Sequence, residues 1–217
     1  MRVGVLCSGR GSNLQSLLDA AKANALGGAE IAVVVCNIAG AGAIVRARTA
    51  GVAVEVVEHK GLDRAAFERA LVERLRAHRV ELVCLAGFMR IVGPGFLEAF
   101  PNRVLNIHPS LLPSFPGLHA QRQAIEAGAR FSGCTIHFVD AGTDSGPIVL
   151  QAAVPVLPGD DEAALAARIL VAEHRIYPEA VRLVASGRVT MKGRRVIVDG
   201  AVRPDETPRY NPPLGAG

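Results

Sequence analysis

Residues 82–119, LVCLAGFMRIVGPGFLEAFPNRVLNIHPSLLPSFPGLH, set the reading of everything around them. The stretch opens on an apolar run, 82–86, whose length suits a buried strand. It breaks at Gly87, restarts at Gly93-Pro94-Gly95, and carries a second apolar run, 104–107, that Asn106 interrupts. That run ends at His108-Pro109-Ser110, after which Pro109, Pro113 and Pro116 stop either strand or helix from continuing. Side chains two apart on a strand share a face, so Asn106 and His108 leave the strand end together. Open α/β sheets bind ligands outside the carboxyl ends of their strands, which makes this end the expected seat of chemistry.

Upstream, residues 2–7 form a near-continuous apolar run, as in a parallel strand covered on both faces. Ser8-Gly9-Arg10-Gly11-Ser12-Asn13 follows, then LQSLLDAAKANA with apolar residues at helical spacing. A glycine-rich turn opening a helix exposes amides that favour an anion, yet GRGSN is neither GxGxxG nor GxxxxGK[ST]. On the residues alone, a phosphate site and a plain tight turn with an Asn or Ser cap stand level. Further strands are expected at 29–36, 52–57 and 80–86, with a short helix over 43–50. An amphipathic helix, capped by Asp63 and running to Ala77, carries Leu71, Val72 and Leu75 on one stripe. The order βαβαβαβ predicts an α/β fold, a doubly wound and mainly parallel central sheet.

Downstream, 94–100 and 121–127 read as short helices, the first with Pro in its first turn. Residues 131–139 and 148–156 read as strands around the polar turn Asp140-Ala141-Gly142-Thr143-Asp144-Ser145-Gly146-Pro147. Asp161 opens a long helix, with Leu165, Ile169 and Leu170 inward, that meets a candidate kink at Pro178. VTMKGRRVIVDGAV predicts a C-terminal hairpin. From Arg203 the chain lacks apolar content and is expected to form a flexible tail. Residues 1–202 are thus read as a single domain, with an amino-terminal half to about 100 and a second half from 101, followed by the tail 203–217.

A chain of 217 residues, half of them hydrophobic, can bury a sizeable core. No apolar run reaches the length of a membrane span, and Met1-Arg2 leads into a strand pattern without a signal-peptide layout, so a cytoplasmic location is expected. A net charge of +4 invites nucleic acid, but the basic residues alternate with acids at Asp63-Arg64, Glu68-Arg69 and Glu73-Arg74. Only Lys192-Gly193-Arg194-Arg195 clusters. The expected partners are small anionic molecules rather than nucleic acid or membrane. Cys7, Cys36, Cys84 and Cys134 all fall in apolar runs without metal-ligand spacing, which predicts buried free thiols and no metal.

Of six histidines, His59 and His78 lie among surface charges and His174 could face either way. His108, His119 and His137 fall in or beside the central loops. Asp144 can be read as an ordinary turn aspartate. Taken together, an imidazole, a carboxamide and a carboxylate on neighbouring strand-end loops suit proton transfer and oxyanion stabilisation better than covalent catalysis.

NIHPSLLP, preceded by AGFMR and followed by PGLH, resembles the folate-dependent formyltransferases, and the likeness spans about residues 2–178. It implies a Rossmann-like formyltransferase fold. SGRGSNLQ is similar to the family's phosphate-binding turn and implies that Gly11, Ser12 and Asn13 hold the acceptor substrate. AGFMRIV is similar to its folate-binding segment, at Met89, Arg90, Ile91 and Val92, and Arg64 matches a further folate contact. NIHPSLLP implies Asn106 and His108 as catalytic, with Asn106 also against the folate. HFVDAGTDSGPI resembles the loop over the pterin, which assigns Asp140, Ala141, Gly142 and Thr143 to folate binding and Asp144 to both binding and catalysis. AEHRIYP implies an acceptor contact at Glu173.

The reaction so implied moves a formyl group from 10-formyltetrahydrofolate, as co-substrate, to the amine of phosphoribosylglycinamide in de novo purine (IMP) biosynthesis, without a metal. GSN near the amino terminus, in a chain with neither a tRNA-binding nor a regulatory domain, selects that acceptor. A monomer or weak homodimer is expected. Two rivals remain, a formyltetrahydrofolate hydrolase and a non-catalytic nucleotide-binding module.

Overall fold

The structure, a computed structural model, describes residues 1–201 and 206–212. Its first half runs β1 (Arg2–Cys7), α1 (Ser12–Lys22), β2 (Glu30–Cys36), α2 (Gly42–Thr49), β3 (Ala53–Val56), α3 (Arg64–Ala77), β4 (Leu82–Leu85) and α4 (Pro94–Ala99). The second half runs β5 (Val104–His108), α5 (Ala120–Glu126), β6 (Phe131–Phe138), β7 (Ile148–Pro155), α6 (Glu162–Ala185), β8 (Val189–Lys192) and β9 (Arg195–Val198). Seven strands form one sheet in the order β3-β2-β1-β4-β5-β6-β7, and β8 and β9 pair as a separate hairpin. The first five are parallel, whereas β6 runs antiparallel to β5, and β7 to β6.

The near-continuous apolar strands follow from cover on both faces. Val3, Val5 and Cys7 of β1 pack with Leu14, Leu17, Ile44, Tyr177 and Val181, from α1, α2 and α6. Leu6 points the other way, into the cluster built by Phe67, Leu71, Leu75 and Phe96 of α3 and α4. Strand order reverses between β1 and β4, and the loops leaving their carboxyl ends open the crevice that such a reversal creates. The carboxylates of Asp63 and Asp161 accept from Ala66 N–H and Ala164 N–H, each at 2.7 Å, and start α3 and α6 as expected.

Several expectations need adjustment. Helix α6 carries Pro178, the candidate kink, within it and runs on to Ala185. Leu165 and Ile169 are buried, but Leu170 and Val72 are only half-buried, at the edges of their stripes. His59 and His78 are also half-buried, because His78 Nε2 pairs with Glu55 Oε1 at 3.1 Å and His59 Nδ1 lies 3.4 Å from Asn37 Nδ2. The tail expected from Arg203 falls partly outside the described residues. Within 206–212, Asn211 donates to the carbonyls of Arg130 and Val156, at the outer end of the sheet.

All four cysteines are buried free thiols, and burial pushes Cys36 up to about 11 and Cys84 and Cys134 up to about 12. Among the described residues, no helix is long and apolar enough to cross a membrane.

Candidate active site

Strand β5 carries Leu105 and Ile107 into the cluster beneath α1 and α6, so the period of two turns Asn106 and His108 to the opposite face. The antiparallel neighbour β6 sets His137 beside Asn106 and Thr135 beside His108. Asn106 Nδ2 lies 3.2 Å from His137 Nε2, while His137 Nδ1 lies 3.0 Å from the Phe138 carbonyl. A carbonyl can only accept, so Nδ1 carries the proton and Nε2 is left to accept from Asn106. Burial, partly offset by the Phe138 bond and Asp144, lowers the His137 pKa and favours this neutral ring. The Asn106 carboxamide is thereby oriented.

The Asp140–Gly146 turn resolves the ambiguity of its aspartate by geometry. Asp144 takes a left-handed conformation, φ 49°, which aspartate tolerates better than most residues. That turn sends its carboxylate inward. Oδ2 lies 3.3 Å from His108 Nδ1 and accepts from Gly117 N–H at 2.8 Å; Oδ1 lies 3.7 Å from His137 Nε2. His108 Nε2 is 2.9 Å from the Phe115 carbonyl, supplied by the proline-rich loop. Both His108 nitrogens thus face acceptors, and a ring donating from each would satisfy both. Ser110 and Thr135 hold that loop, Ser110 through Ser114 O at 2.5 Å and Thr135 through Ser110 O at 2.7 Å.

A cavity of about 240 Å³ opens in front of this group. Arg64, Arg90, Ile91 and Val92 line one side, Asp140 to Asp144 the other, and Asn106 and His137 the floor. Leu85, Val92 and Val139 give it apolar surface for a flat ring, and backbone and carboxylate groups give it polar edges, a lining that fits a pterin-type ligand. Asp140 Oδ1 braces its loop from within, accepting from Gly142 N–H at 3.1 Å and Ser145 Oγ at 2.7 Å. Two of the predicted residues stand differently from the others. Met89 is exposed and does not line the cavity, and His108, buried, sits one step behind Asp144.

At the other end of the crevice, Gly11 rather than Ser12 or Asn13 precedes helix α1, with φ 74° and no side-chain cap. A Cβ there would also lie 2.8 Å from Ala43, so the turn needs glycine on both counts. Ser12 and Asn13 become the first two helical residues. Asn13 Nδ2 donates to Glu173 Oε2 at 2.7 Å, joining α1 to α6, while Asn13 Oδ1 is buried without a partner. Burial raises the Glu173 pKa, and the Asn13 bond opposes that only in part. One turn on from Glu173, buried Tyr177 reaches the carbonyls of Leu85 (3.0 Å) and Leu105 (3.3 Å), fixing α6 against β4 and β5.

Sequence reasoning did not single out His137, although alternation along 131–138 aims it to the same side as Thr135 and away from Ile136. His119 turns out to be a surface residue, 3.3 Å from Glu162. A larger groove of about 1030 Å³, between α1, α2 and β2, is lined by scattered surface groups such as Lys22, Glu30 and Thr49 and contains none of the predicted site residues.

Comparison with known proteins gives the chain a family. Residues 1–181 match the family described as formyl transferase. The chain is 43% identical over 207 residues to phosphoribosylglycinamide formyltransferase from Escherichia coli (strain K12), covering 95% of this chain and 97% of that protein. It is 53% identical over 188 residues to the trifunctional purine biosynthetic protein adenosine-3 of Drosophila pseudoobscura pseudoobscura, covering 86% of this chain but only 14% of that much longer protein. The crystal structure of glycinamide ribonucleotide transformylase 1 from Symbiobacterium toebii superposes with a TM-score of 0.90 at 56% identity, covering 91% of this chain and 93% of that one.

Proposed function

The chain belongs to the formyl transferase family, and from that premise we propose that it carries the formyl group of 10-formyltetrahydrofolate to the amine of phosphoribosylglycinamide. It is an enzyme of formyl transfer in purine biosynthesis and acts on small molecules. The observation that carries the finer reading is the convergence of Asn106, His108 and Asp144 at the carboxyl end of β5, beside a cavity that suits a pterin.

In this reading the folate rests against Arg64, Arg90, Ile91 and Val92, with residues 140–144 over its ring and Met89 anchoring the segment. The acceptor phosphate sits on the amides of Gly11, Ser12 and Asn13 at the start of α1, where the helix favours an anion. Glu173 and the unpartnered Asn13 Oδ1 accept from ribose hydroxyls. The acceptor amine attacks the formyl carbon, a C–N bond forms, and the carbonyl electron pair moves onto the formyl oxygen. Asn106, its amide oriented by His137, donates to that oxygen, and the His108–Asp144 pair keeps a proton and its charge beside it. Collapse expels the folate nitrogen, which takes a proton while the amine gives one up, with His108 exchanging it through Asp144 or an ordered water. No step calls for a metal. We further place the enzyme in the cytoplasm, as a monomer or weak homodimer, without nucleic-acid or membrane partners.

Incubation of the protein with 10-formyltetrahydrofolate, with and without phosphoribosylglycinamide, tests the reading. Loss of formyl-folate that requires the acceptor supports it. Loss without the acceptor would make the protein a hydrolase, and no loss in either case a nucleotide-binding module.

A further inference from the structure

One wall of the cavity, Arg90 to Gly93, belongs to a segment without regular secondary structure, 88–93, between β4 and α4. Its middle is open, with Met89 69% and Ile91 74% exposed, so backbone placement alone decides what a ligand meets there. Apolar anchors hold the segment down, Val92 in the cluster beneath α3 and Phe88 stacked on Phe67 with ring centroids 6.4 Å apart. Such contacts fix depth but not lateral position, because dispersion has little directional preference. Two hydrogen bonds supply the direction. Met89 N–H donates to Ser8 Oγ at 2.8 Å, and Gly93 N–H donates to Glu68 Oε1 at 2.7 Å.

We propose that Ser8 and Glu68 are positioning residues that pin the two ends of this wall and so set where Arg90, Ile91 and Arg64 meet the folate, an inference that rests on the formyl-folate reading above. Ser8 is buried just past β1, at the reversal of strand order, and its own N–H donates to Gly87 O at 3.0 Å. It therefore ties the turn before α1 to the start of the wall by two bonds. Glu68 is buried on α3, and its Oε1 also accepts from Arg64 Nε at 2.9 Å. A single oxygen thus fixes both the far end of the wall and the Arg64 guanidinium beside it, and bonds to a carboxylate are stronger than neutral ones.

The Glu68 bond falls on Gly93, the residue that precedes α4, while the N–H groups of Phe96 and Leu97 donate to Gly93 O at 3.1 Å. The approach is close. A Cβ on Gly93 would lie 2.6 Å from Arg64 Nη2 and 2.7 Å from Glu68 Oε1, so the position admits no side chain without moving both.

The test measures tetrahydrofolate binding by calorimetry, steady-state constants for both substrates, and Tm, on wild type, Ser8→Ala, Glu68→Ala and Glu68→Gln. Each alanine variant should raise the tetrahydrofolate Kd and the formyl-folate KM about tenfold, with a smaller change in kcat and in acceptor KM. Glu68→Gln keeps an oxygen able to accept from both Gly93 and Arg64 and should recover most of that loss. A fall in Tm with unchanged tetrahydrofolate binding would show a purely structural role and overturn the proposal. Equal changes in both substrates' KM would overturn it too. Should Glu68→Ala not fold, Ser8→Ala and Glu68→Gln decide by the same readouts. Wild type that neither binds tetrahydrofolate nor transfers formyl would remove the formyl-folate reading and this proposal together, whereas a working wild type with unaltered variants would sink the proposal alone.

Discussion

Two carboxylates, Asp144 and Glu173, stand in the crevice in contrasting company. Asp144 meets two imidazoles and a backbone N–H. Glu173 is the more deeply buried of the two and, among the described residues, has the neutral amide of Asn13 as its hydrogen-bond donor; burial raises its pKa. A buried charge costs several kcal/mol unless donors and opposite charge compensate it. The comparison teaches that Asp144, the less buried, is held in place by several polar partners, whereas burial with one neutral donor makes Glu173 favour its protonated form. The one suits a reacting centre, the other a contact to hydroxyls.

The sharpest way to break this contrast is at His108. His108→Ala should lower kcat by roughly 10²–10⁴-fold, the usual range for a positioned acid or base, with tetrahydrofolate binding little changed. Near-normal turnover would reduce the Asp144 cluster to architecture. Asp144→Asn probes the charge alone, because asparagine is also at home at φ 49° and can still accept from Gly117 N–H. A fall in kcat of about 10²-fold at unchanged Tm is expected. Full activity would return Asp144 to the rank of a turn residue.

At the Glu173 end, Ser12→Asp would set a carboxylate at the first residue of α1, where the acceptor phosphate is proposed to sit. Like charges in a partly dehydrated site repel, so the acceptor KM should rise roughly 10–100-fold while tetrahydrofolate affinity holds. An acid in the first helical turn is otherwise favourable, and the fold should survive. An unmoved acceptor KM would place the phosphate elsewhere.

Glu173→Gln should give the smallest effect, read in stability. The folded-state pKa of Glu173 is raised, so its contribution is fully present below the unfolded value, about 4.3, and is lost as pH rises through the folded value. Glutamine keeps the acceptor for Asn13 Nδ2 and removes the titration. The variant's Tm should therefore gain on wild type as pH climbs from 4 to 8; a gain of about 1 kcal/mol corresponds to roughly 2–4 °C in a chain of this size. Parallel Tm curves across that range would dissolve the contrast between the two carboxylates.

Much of this was open to reading along the chain. Continuous apolar runs mark the parallel strands because both faces are covered, and Asp63 and Asp161 mark helix starts because their carboxylates meet free N–H groups. Asn106 and His108 could be placed on one face because side-chain direction in a strand depends on local backbone alone. The family motifs named the same residues that the fold then gathered into the crevice, except that Met89 contributes its backbone and His108 stands behind Asp144.

Other features depend on partners far away in the chain. His137 joins the site only because β6 pairs antiparallel with β5 in the register that sets it opposite Asn106. Asn13 and Glu173, separated by 160 positions, meet because Tyr177 fixes α6 over the sheet. Gly11 ends the turn where a Ser or Asn cap was an open possibility, because Ala43 of a later helix leaves no room for a Cβ. Periodicity and capping are properties of a few consecutive residues, so the sequence states them. Burial, register and the groups around a carboxylate are properties of segments brought together by folding, and those set Asp144 and Glu173 in different company.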